Sequence, residues 1–522
     1  MRNSQRKNIL FSSVLSIFII LFYQFNNTWV GIHENDQVSG CDSFGYARQA
    51  QLFRKSNNFL SALDTSINTD IQSILINWGQ NTSIKYKDWY QMVAPHAHHF
   101  RSDSQKVILQ YPPGTGWLLS QFQENKARKG LWILSFSAIS SLFLSRLNIS
   151  SNSFTNLSIS LSCLGSLYIT NTFSTRSDSI APSCVIAILL TSLAVKSINY
   201  LNKNFRIPFF EIILISLLCG FSMSIRPGNL LFLIIPASVY LVTFKLKVKY
   251  MIRSIILSSS AFFVSLQPLL LANKINTGSF LSSTYSSIDT TFNISSFFLN
   301  LSLKNESIDD SIRFILVLII SLFFSYRSWI NKDDINFLTS RKILILCSWI
   351  FMILMIILMS LKPVFNLYYL APQLVMTTGI SSMSIFISQS SRTSNSFSID
   401  RLRIFALFLS IIIFIFGYLF IKPNFNEPLP SLNKLPNNSI VWADGVGSEL
   451  FYYHNINTAK LNFGSEYAQK ELVEYLSNNS INQFVLDDAN QINDFNSVSL
   501  GSLEEFLTYK GLRLFKYIPN NK

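Results

Sequence analysis

Apolar residues in this chain come in long blocks, such as 9–25, 209–223 and 404–421. Each is close to the roughly 17 to 25 residues that cross a bilayer as a helix. With 9–25 as the first, blocks at 131–147, 156–173, 179–197, 209–225, 228–244, 252–271, 312–326, 343–361, 365–388 and 403–421 bring the expected spans to about eleven. The expected fold is therefore an α-helical polytopic membrane protein. The connections sharpen this. Lys196, Lys203 and Arg206, then Lys245, Lys247, Lys249 and Arg253, then Arg327, Lys332, Arg341 and Lys342, then Arg392, Arg401 and Arg403 fall in alternate connections. That is the positive-inside bias of cytoplasmic loops. It predicts a cytoplasmic N-terminus, with three outward regions: a long first loop at about 26–130, the connection 273–311, and the chain after about 422.

The last hundred residues change character. Apolar strand-like runs at 439–443, 459–463, 483–487 and 512–517 alternate with helical patterns near 449–453, at 466–476 and at 503–509. The sequence thus divides into a membrane domain, 1–421, and a small extracytoplasmic α/β domain, 422–522, able to bury a core of its own.

Composition agrees with the block pattern. The 522 residues are 49% hydrophobic and 14% aromatic but only 13% charged, where soluble domains carry about a quarter charged. An ordinary soluble enzyme is excluded. The net charge of +14 reports membrane topology rather than nucleic-acid binding. The first span has a basic head (Arg2, Arg6, Lys7) and no small-residue cleavage site after it, so it is expected to be retained. The five cysteines show no CxxC spacing and read as packing residues.

Candidate chemistry collects on the outward side. Glu34, Asp36 and Asp42 precede Tyr46, Ala47, Ala50, Leu52 and Phe53, a spacing that suits a helix lying on the membrane surface. A carboxylate there can serve as a base toward a hydroxyl acceptor. Later in the same loop, Tyr111-Pro112-Pro113-Gly114 opens an apolar run too short to span, which predicts a re-entrant or surface helix. Arg176, Arg226 and Lys362, the last with Asn366, Tyr368 and Tyr369, lie at outer span ends. Cations placed there can hold a lipid phosphate, which the guanidinium fork matches, or can act as snorkelling anchors. His96, His98 and His99 with Asp103 allow a divalent metal, but a solvent-facing loop is the expected state of that run. Gly445-Val446-Gly447 lacks what a nucleotide site needs.

These residues, in this order, resemble the GT-C superfamily of polytopic glycosyltransferases, the group of protein mannosyltransferases and lipid A aminoarabinose transferases. The likeness rests on Gly40 to Ala50 (GCDSFGYARQA), on Tyr111-Pro112-Pro113-Gly114, on Ser224-Ile225-Arg226-Pro227-Gly228-Asn229-Leu230, and on Pro268 to Tyr285 with Asn273, Gly278 and Tyr285. The chain departs from the family where an acidic pair is common, since Ser43 follows Asp42. Which carboxylate is the base therefore stays open. The resemblance implies transfer of one sugar, with inversion, from a polyprenyl-phosphate donor to a glycolipid, glycan or protein acceptor on the outer face; with no retention signal in the sequence, a bacterial inner membrane is the expected location. No cofactor is required and no nucleic acid is involved. On this basis we expect Asp42 as the first candidate for the base with Asp36 orienting the acceptor, Arg226 with Lys362 or Arg176 at the donor phosphate, and Tyr46, Tyr111, Pro112, Pro113 and Tyr285 around the substrates. A transporter of lipid-linked saccharide, or a polysaccharide polymerase or ligase, would share the polytopic pattern. The first calls for ionisable groups in mid-span and the second for a large loop between late spans.

Overall fold

The computed structural model describes residues 2–26, 40–147, 153–204, 209–242, 248–285, 308–330, 335–362, 366–385, 397–420, 435–443, 450, 456–460, 464–487, 491–499, 501–509 and 512–519. It is mostly helical, with a small sheet near the C-terminus. Among the described residues three helical stretches are long and apolar enough to cross a membrane: Ile180–Leu201, Met251–Thr277 and Thr339–Ser360. Shorter apolar helices lie at Phe11–Asn26, Phe209–Ile225, Pro227–Leu241 and Ile404–Phe420.

Two of the expected spans are interrupted. The block at 228–244 begins as a 3-10 helix, Pro227–Leu233, and only then becomes the α-helix Ile234–Val242. The block at 365–388 begins as the 3-10 turn Leu367–Leu370 and continues as helix Ala371–Met383. Pro227 explains the first break. A proline disfavours helical backbone in the residue before it, and Arg226 is accordingly extended at φ −156°.

The chain forms two compact units. The first comprises Met1–Asp36, Gln121–Leu269 and Ser287–Pro423. Its centre is helix Ala371–Met383, buried along its whole length and packed by helices Ser153–Ser174, Ile180–Asn204, Ile308–Ile330 and Ile335–Ser360. Its contact with Ile308–Ile330 is a ladder of hydroxyls: Ser321 with Thr378 at 2.6 Å, Ser325 with Ser381 at 2.6 Å and Ser328 with Ser384 at 2.9 Å. The i, i+4, i+7 spacing puts all three on one helix face. A second knot joins helices Arg2–Asn26, Ala127–Leu144 and Phe397–Phe420, where Gln24 Nε2 donates to Ser137 Oγ at 2.8 Å and Ser410 Oγ donates to Gln24 Oε1 at 2.9 Å. The outward faces are apolar instead, with Phe11, Phe18, Phe210, Ile256, Phe263, Val264 and Ile404 all more than half exposed. Hydroxyls inside and phenylalanine outside is the reverse of a water-soluble helical bundle.

The second unit comprises Gln37–Ser120, Leu270–Ser286 and Asn424–Lys522. Strands β1 (His98–Arg101) and β2 (Lys106–Leu109) make an antiparallel ribbon. A five-stranded sheet carries β3 (Ser439–Trp442), β4 (Thr458–Ala459), β5 (Asn482–Leu486), β6 (Gly501–Tyr509) and β7 (Leu512–Pro519) in the order β4-β3-β5-β7-β6. The first three strands are parallel, and β7 runs antiparallel to both neighbours. Alternation along β3 divides the two faces. Ile440 and Trp442 join a cluster with Ile71, Leu75, Trp78, Trp89, Tyr90 and Phe100 of the first loop, while Val441 and Ala443 join Leu450, Phe484, Leu486 and Leu514. One of the two tail clusters is thus completed by a segment more than three hundred residues away. Polar clamps follow the same seam: Thr82 Oγ1 donates to Glu471 Oε1 at 2.7 Å, and Lys460 N donates to Met92 O at 3.0 Å. The segment 270–286 is tied in by Asn276, whose Oδ1 accepts from Thr65 N and Oγ1 at 3.0 and 2.9 Å.

One tail element differs from expectation in kind. Residues 503–509, with Leu503, Phe506 and Leu507 at helix-like spacing, form strand β6 instead. A bulge between Glu505 and Leu507 adds one residue, so Leu503 pairs with Tyr517 on one face and Leu507 with Leu514 on the other. The extra residue breaks the period-2 signature and counterfeits a helical one. Helix Gln491–Val498 has no counterpart in the sequence reading. The helix expected near 449–453 and the end of the strand expected at 459–463 lie largely outside the described residues.

Candidate functional site

Helix Gly40–Lys55 carries Asp42 in its first turn, where a carboxylate interacts favourably with the helix N-terminus. Helix Pro113–Ser120 starts at the second proline of the Tyr-Pro-Pro run, a position that suits proline because its missing N–H is not needed there. The two helices pack closely. Gly45 and Gly116 permit this, since a Cβ at Gly45 would collide with the Tyr111 ring and one at Gly116 with the Gln49 side chain. Gln49 Nε2 in turn donates to Tyr111 O at 3.3 Å.

Four of the residues expected from the sequence, Asp42, Tyr46, Tyr111 and Tyr285, meet in one cluster beside this contact. Tyr111 Oη donates to Asp42 Oδ1 at 2.7 Å. The Tyr111 ring lies against Tyr46 at 4.7 Å and meets Tyr285 edge-on at 6.3 Å. Tyr46 and Tyr111 are buried, at 1% and 3% exposure, as are Pro112 and Pro113, whereas Asp42 and Tyr285 are half-buried. The loop bearing Tyr285 is held by Thr284 Oγ1, which donates to Gln110 O at 2.9 Å, and by Arg101 Nη1, which donates to Ser283 O at 3.2 Å. Glu34 and Asp36 lie outside the described residues.

The basic candidates belong to the other unit. Arg226, between the end of helix Phe209–Ile225 and the 3-10 helix from Pro227, is 8% exposed. Its guanidinium carbon sits 5.2 Å from the Tyr368 ring centre and 4.9 Å from that of Tyr369. Lys362 Nζ lies 4.9 Å over Tyr369. Arg226 Nη1 is buried and has no hydrogen-bond partner among the described residues. The same stretch of chain holds two further buried polar atoms without partners among the described residues, Ser224 Oγ and Asn229 Oδ1. Buried donors and acceptors left unpaired are costly, and a polar ligand reaching such an atom would relieve the cost. Arg176 is engaged elsewhere, through Nη2 to Asp310 Oδ2 at 3.0 Å. A second ion pair, Arg128 Nε to Asp178 Oδ1 at 2.6 Å and nearly buried, was not nominated; its partners are fifty residues apart and share no sequence pattern.

The histidine run departs from the expected solvent-facing loop. His98 and His99 are 5% and 1% exposed and form the start of β1. Ala97 at φ 75° turns the chain into the strand, and its carbonyl accepts from Gln110 N at 3.1 Å. Asp103 is held by Arg101 through two bonds, at 3.1 and 2.6 Å. Among the described residues no three His, Cys, Asp or Glu side chains gather as a metal set. Burial lowers both histidines to about 3, with Arg48 and Lys460 adding to the effect at His98 and Arg101 and Lys460 at His99. The unfolded rings, near 6.5, bind protons that the folded rings refuse. Stability is therefore complete above about pH 6.5 and declines as pH falls toward 3, by up to about 1.4 kcal/mol per pH unit for each ring. Thermal unfolding followed by tryptophan fluorescence should show this decline between pH 7 and 4, and His99→Phe should flatten it. A melting temperature constant across that range would contradict the assignment.

A scan against protein-family models and a search of curated proteins gave no match to this chain.

Proposed function

We propose that this chain is a polytopic membrane glycosyltransferase that moves one sugar from a polyprenyl-phosphate donor to a hydroxyl acceptor on the extracytoplasmic face. The observation that carries the reading is the Arg226 seat. A guanidinium more than nine-tenths buried against two tyrosines, with one nitrogen unpartnered among the described residues and Lys362 over the Tyr369 ring, suits an anion. It is built at the ends of apolar helices, where a phosphate carried by a lipid arrives. The inverted polarity of the first unit supports the membrane reading and the larger count of spans.

The roles divide by chemistry. Asp42 takes the proton of the acceptor hydroxyl, and the acceptor oxygen bonds to the anomeric carbon from the side opposite the phosphate. The bond from that carbon to the phosphate oxygen breaks, and its electron pair leaves with the lipid phosphate. Arg226 and Lys362 neutralise the charge that grows there. Arg176 serves as the partner of Asp310 and is left out of the phosphate set. Of the aromatic residues, half-buried Tyr285 faces the acceptor, while Tyr46, Pro112 and Pro113 frame the helix contact.

Membranes containing the protein, given a labelled polyprenyl-phosphate monosaccharide, should form a labelled glycoside of inverted configuration. Transfer only from a pyrophosphate-linked oligosaccharide would identify a polymerase or ligase. Movement of the lipid across vesicles with no bond formed would identify a transporter.

A further inference from the structure

Tyr111 stands among the substrate-contacting candidates by sequence, yet its surroundings assign it another task. We propose that Gln110 and Tyr111 form a one-way hydrogen-bond relay that positions the Asp42 carboxylate. The inference rests on the reading of Asp42 as the base.

A tyrosine hydroxyl has one proton to give and lone pairs to receive. Gln110 Nε2 donates to Tyr111 Oη at 3.0 Å, and Tyr111 Oη donates to Asp42 Oδ1 at 2.7 Å. Because the amide N–H occupies a lone pair, the hydroxyl proton is directed to the carboxylate and fixes the orientation of its plane. The relay cannot swing. The Tyr111 ring is 3% exposed, lies between Tyr46 and Tyr285, and fills the space that the missing Cβ of Gly45 leaves. The Gln110 backbone is pinned at both ends, its N–H on Ala97 O and its carbonyl on Thr284 Oγ1. Three segments distant in sequence, 42–49, 97–111 and 284–285, thus converge on the geometry of one carboxylate oxygen. A buried ring that spends its hydroxyl on Asp42 is a positioning residue and does not read the sugar.

The position of a base counts strongly in catalysis, since small misplacements of a reacting group cost one to two orders of magnitude. Tyr111→Phe keeps the ring and removes only the hydroxyl. It should lower kcat about 10- to 100-fold, with the KM for the polyprenyl-phosphate donor and for the acceptor within about twofold of wild type and an unchanged melting temperature. Gln110→Glu, which offers the hydroxyl a competing acceptor, should reproduce the kcat loss. Asp42→Asn measured alongside separates the two levels of the argument. If Asp42→Asn is inactive and Tyr111→Phe retains wild-type kcat, the relay is wrong and the base assignment stands. If Tyr111→Phe instead raises an acceptor or donor KM at constant kcat, Tyr111 touches substrate and the relay is again wrong. If Asp42→Asn keeps wild-type turnover, the base assignment fails and the relay falls with it.

Discussion

Asp42→Asn is expected to lower turnover about 1000-fold while leaving the amount of protein in the membrane and its melting temperature unchanged. General-base catalysis contributes about 10²- to 10⁴-fold, and an amide cannot take the acceptor proton. The fold has little reason to notice. Asp42 is half-buried in the first turn of helix Gly40–Lys55, and an asparagine there still accepts from Tyr111 Oη and remains a good residue for a helix start. What is lost is the charge near the helix N-terminus, worth about 0.3 to 1 kcal/mol. Activity and stability should therefore separate cleanly at this position. The donor KM should not move, because the phosphate is assigned to Arg226 and Lys362. Wild-type turnover in this variant would take Asp42 out of the role and return it to Asp36 or Glu34, the other acidic residues of the same stretch.

The sequence was most readable where one periodicity acts over many residues. Apolar blocks at 131–147, 156–173, 179–197 and 209–225 correspond to helices Ala127–Leu144, Ser153–Ser174, Ile180–Asn204 and Phe209–Ile225, the third running on past its block to Asn204. The parallel part of the tail was readable too, since β3 and β5 are buried on both faces and written as apolar runs. Failures came where a single residue resets the pattern. Pro227 turned an apolar block into a 3-10 segment, and the bulge at Glu505 disguised a strand as a helix. His98 and His99 misled for a different reason. A run of three histidines is read by composition as hydrated, but Ala97 in the left-handed region starts a strand whose partner, β2, is apolar enough to carry both rings inward.

Much of the candidate site lies beyond any local pattern. The bond from Tyr111 to Asp42 joins residues 69 apart, and that from Thr284 to Gln110 joins residues 174 apart. Sequence order nominated the motifs, and packing brought Asp42, Tyr46, Tyr111 and Tyr285 together. The Arg226 seat was nominated through Arg-Pro and through Tyr368-Tyr369 separately. That both tyrosines stack on one guanidinium is information only the fold holds. Arg176 illustrates the converse. Its position at a span end suggested a phosphate ligand, but Asp310, 134 residues later, supplies a carboxylate within 3.0 Å.

Arg226→Ala should strongly weaken the affinity of the protein for its lipid-phosphate donor while costing little stability in the donor's absence. This pairing of effects distinguishes a ligand seat from an anchor. A guanidinium that is 8% exposed, with one nitrogen unpartnered among the described residues, carries a desolvation cost that its two ring contacts offset only in part. Such contacts contribute about 0.5 to 2 kcal/mol each, whereas a buried ion without a counter-charge costs several kcal/mol. Removing the whole side chain removes the cost and the contacts together, so the unliganded variant should melt within a few degrees of wild type. The donor changes the comparison. Its phosphate completes the hydrogen bonds of Arg226 and should raise the melting temperature of the wild-type protein, because a ligand that binds only the folded state stabilises it. In Arg226→Ala that rise should vanish and kcat/KM for the donor should drop about 100- to 1000-fold. Arg226→Lys keeps the charge but neither forks to two oxygens nor stacks as a plane, and should fall between. A variant that melts far lower without donor yet keeps its donor-induced shift would show Arg226 to be a snorkelling anchor, and the anion would have to be sought elsewhere.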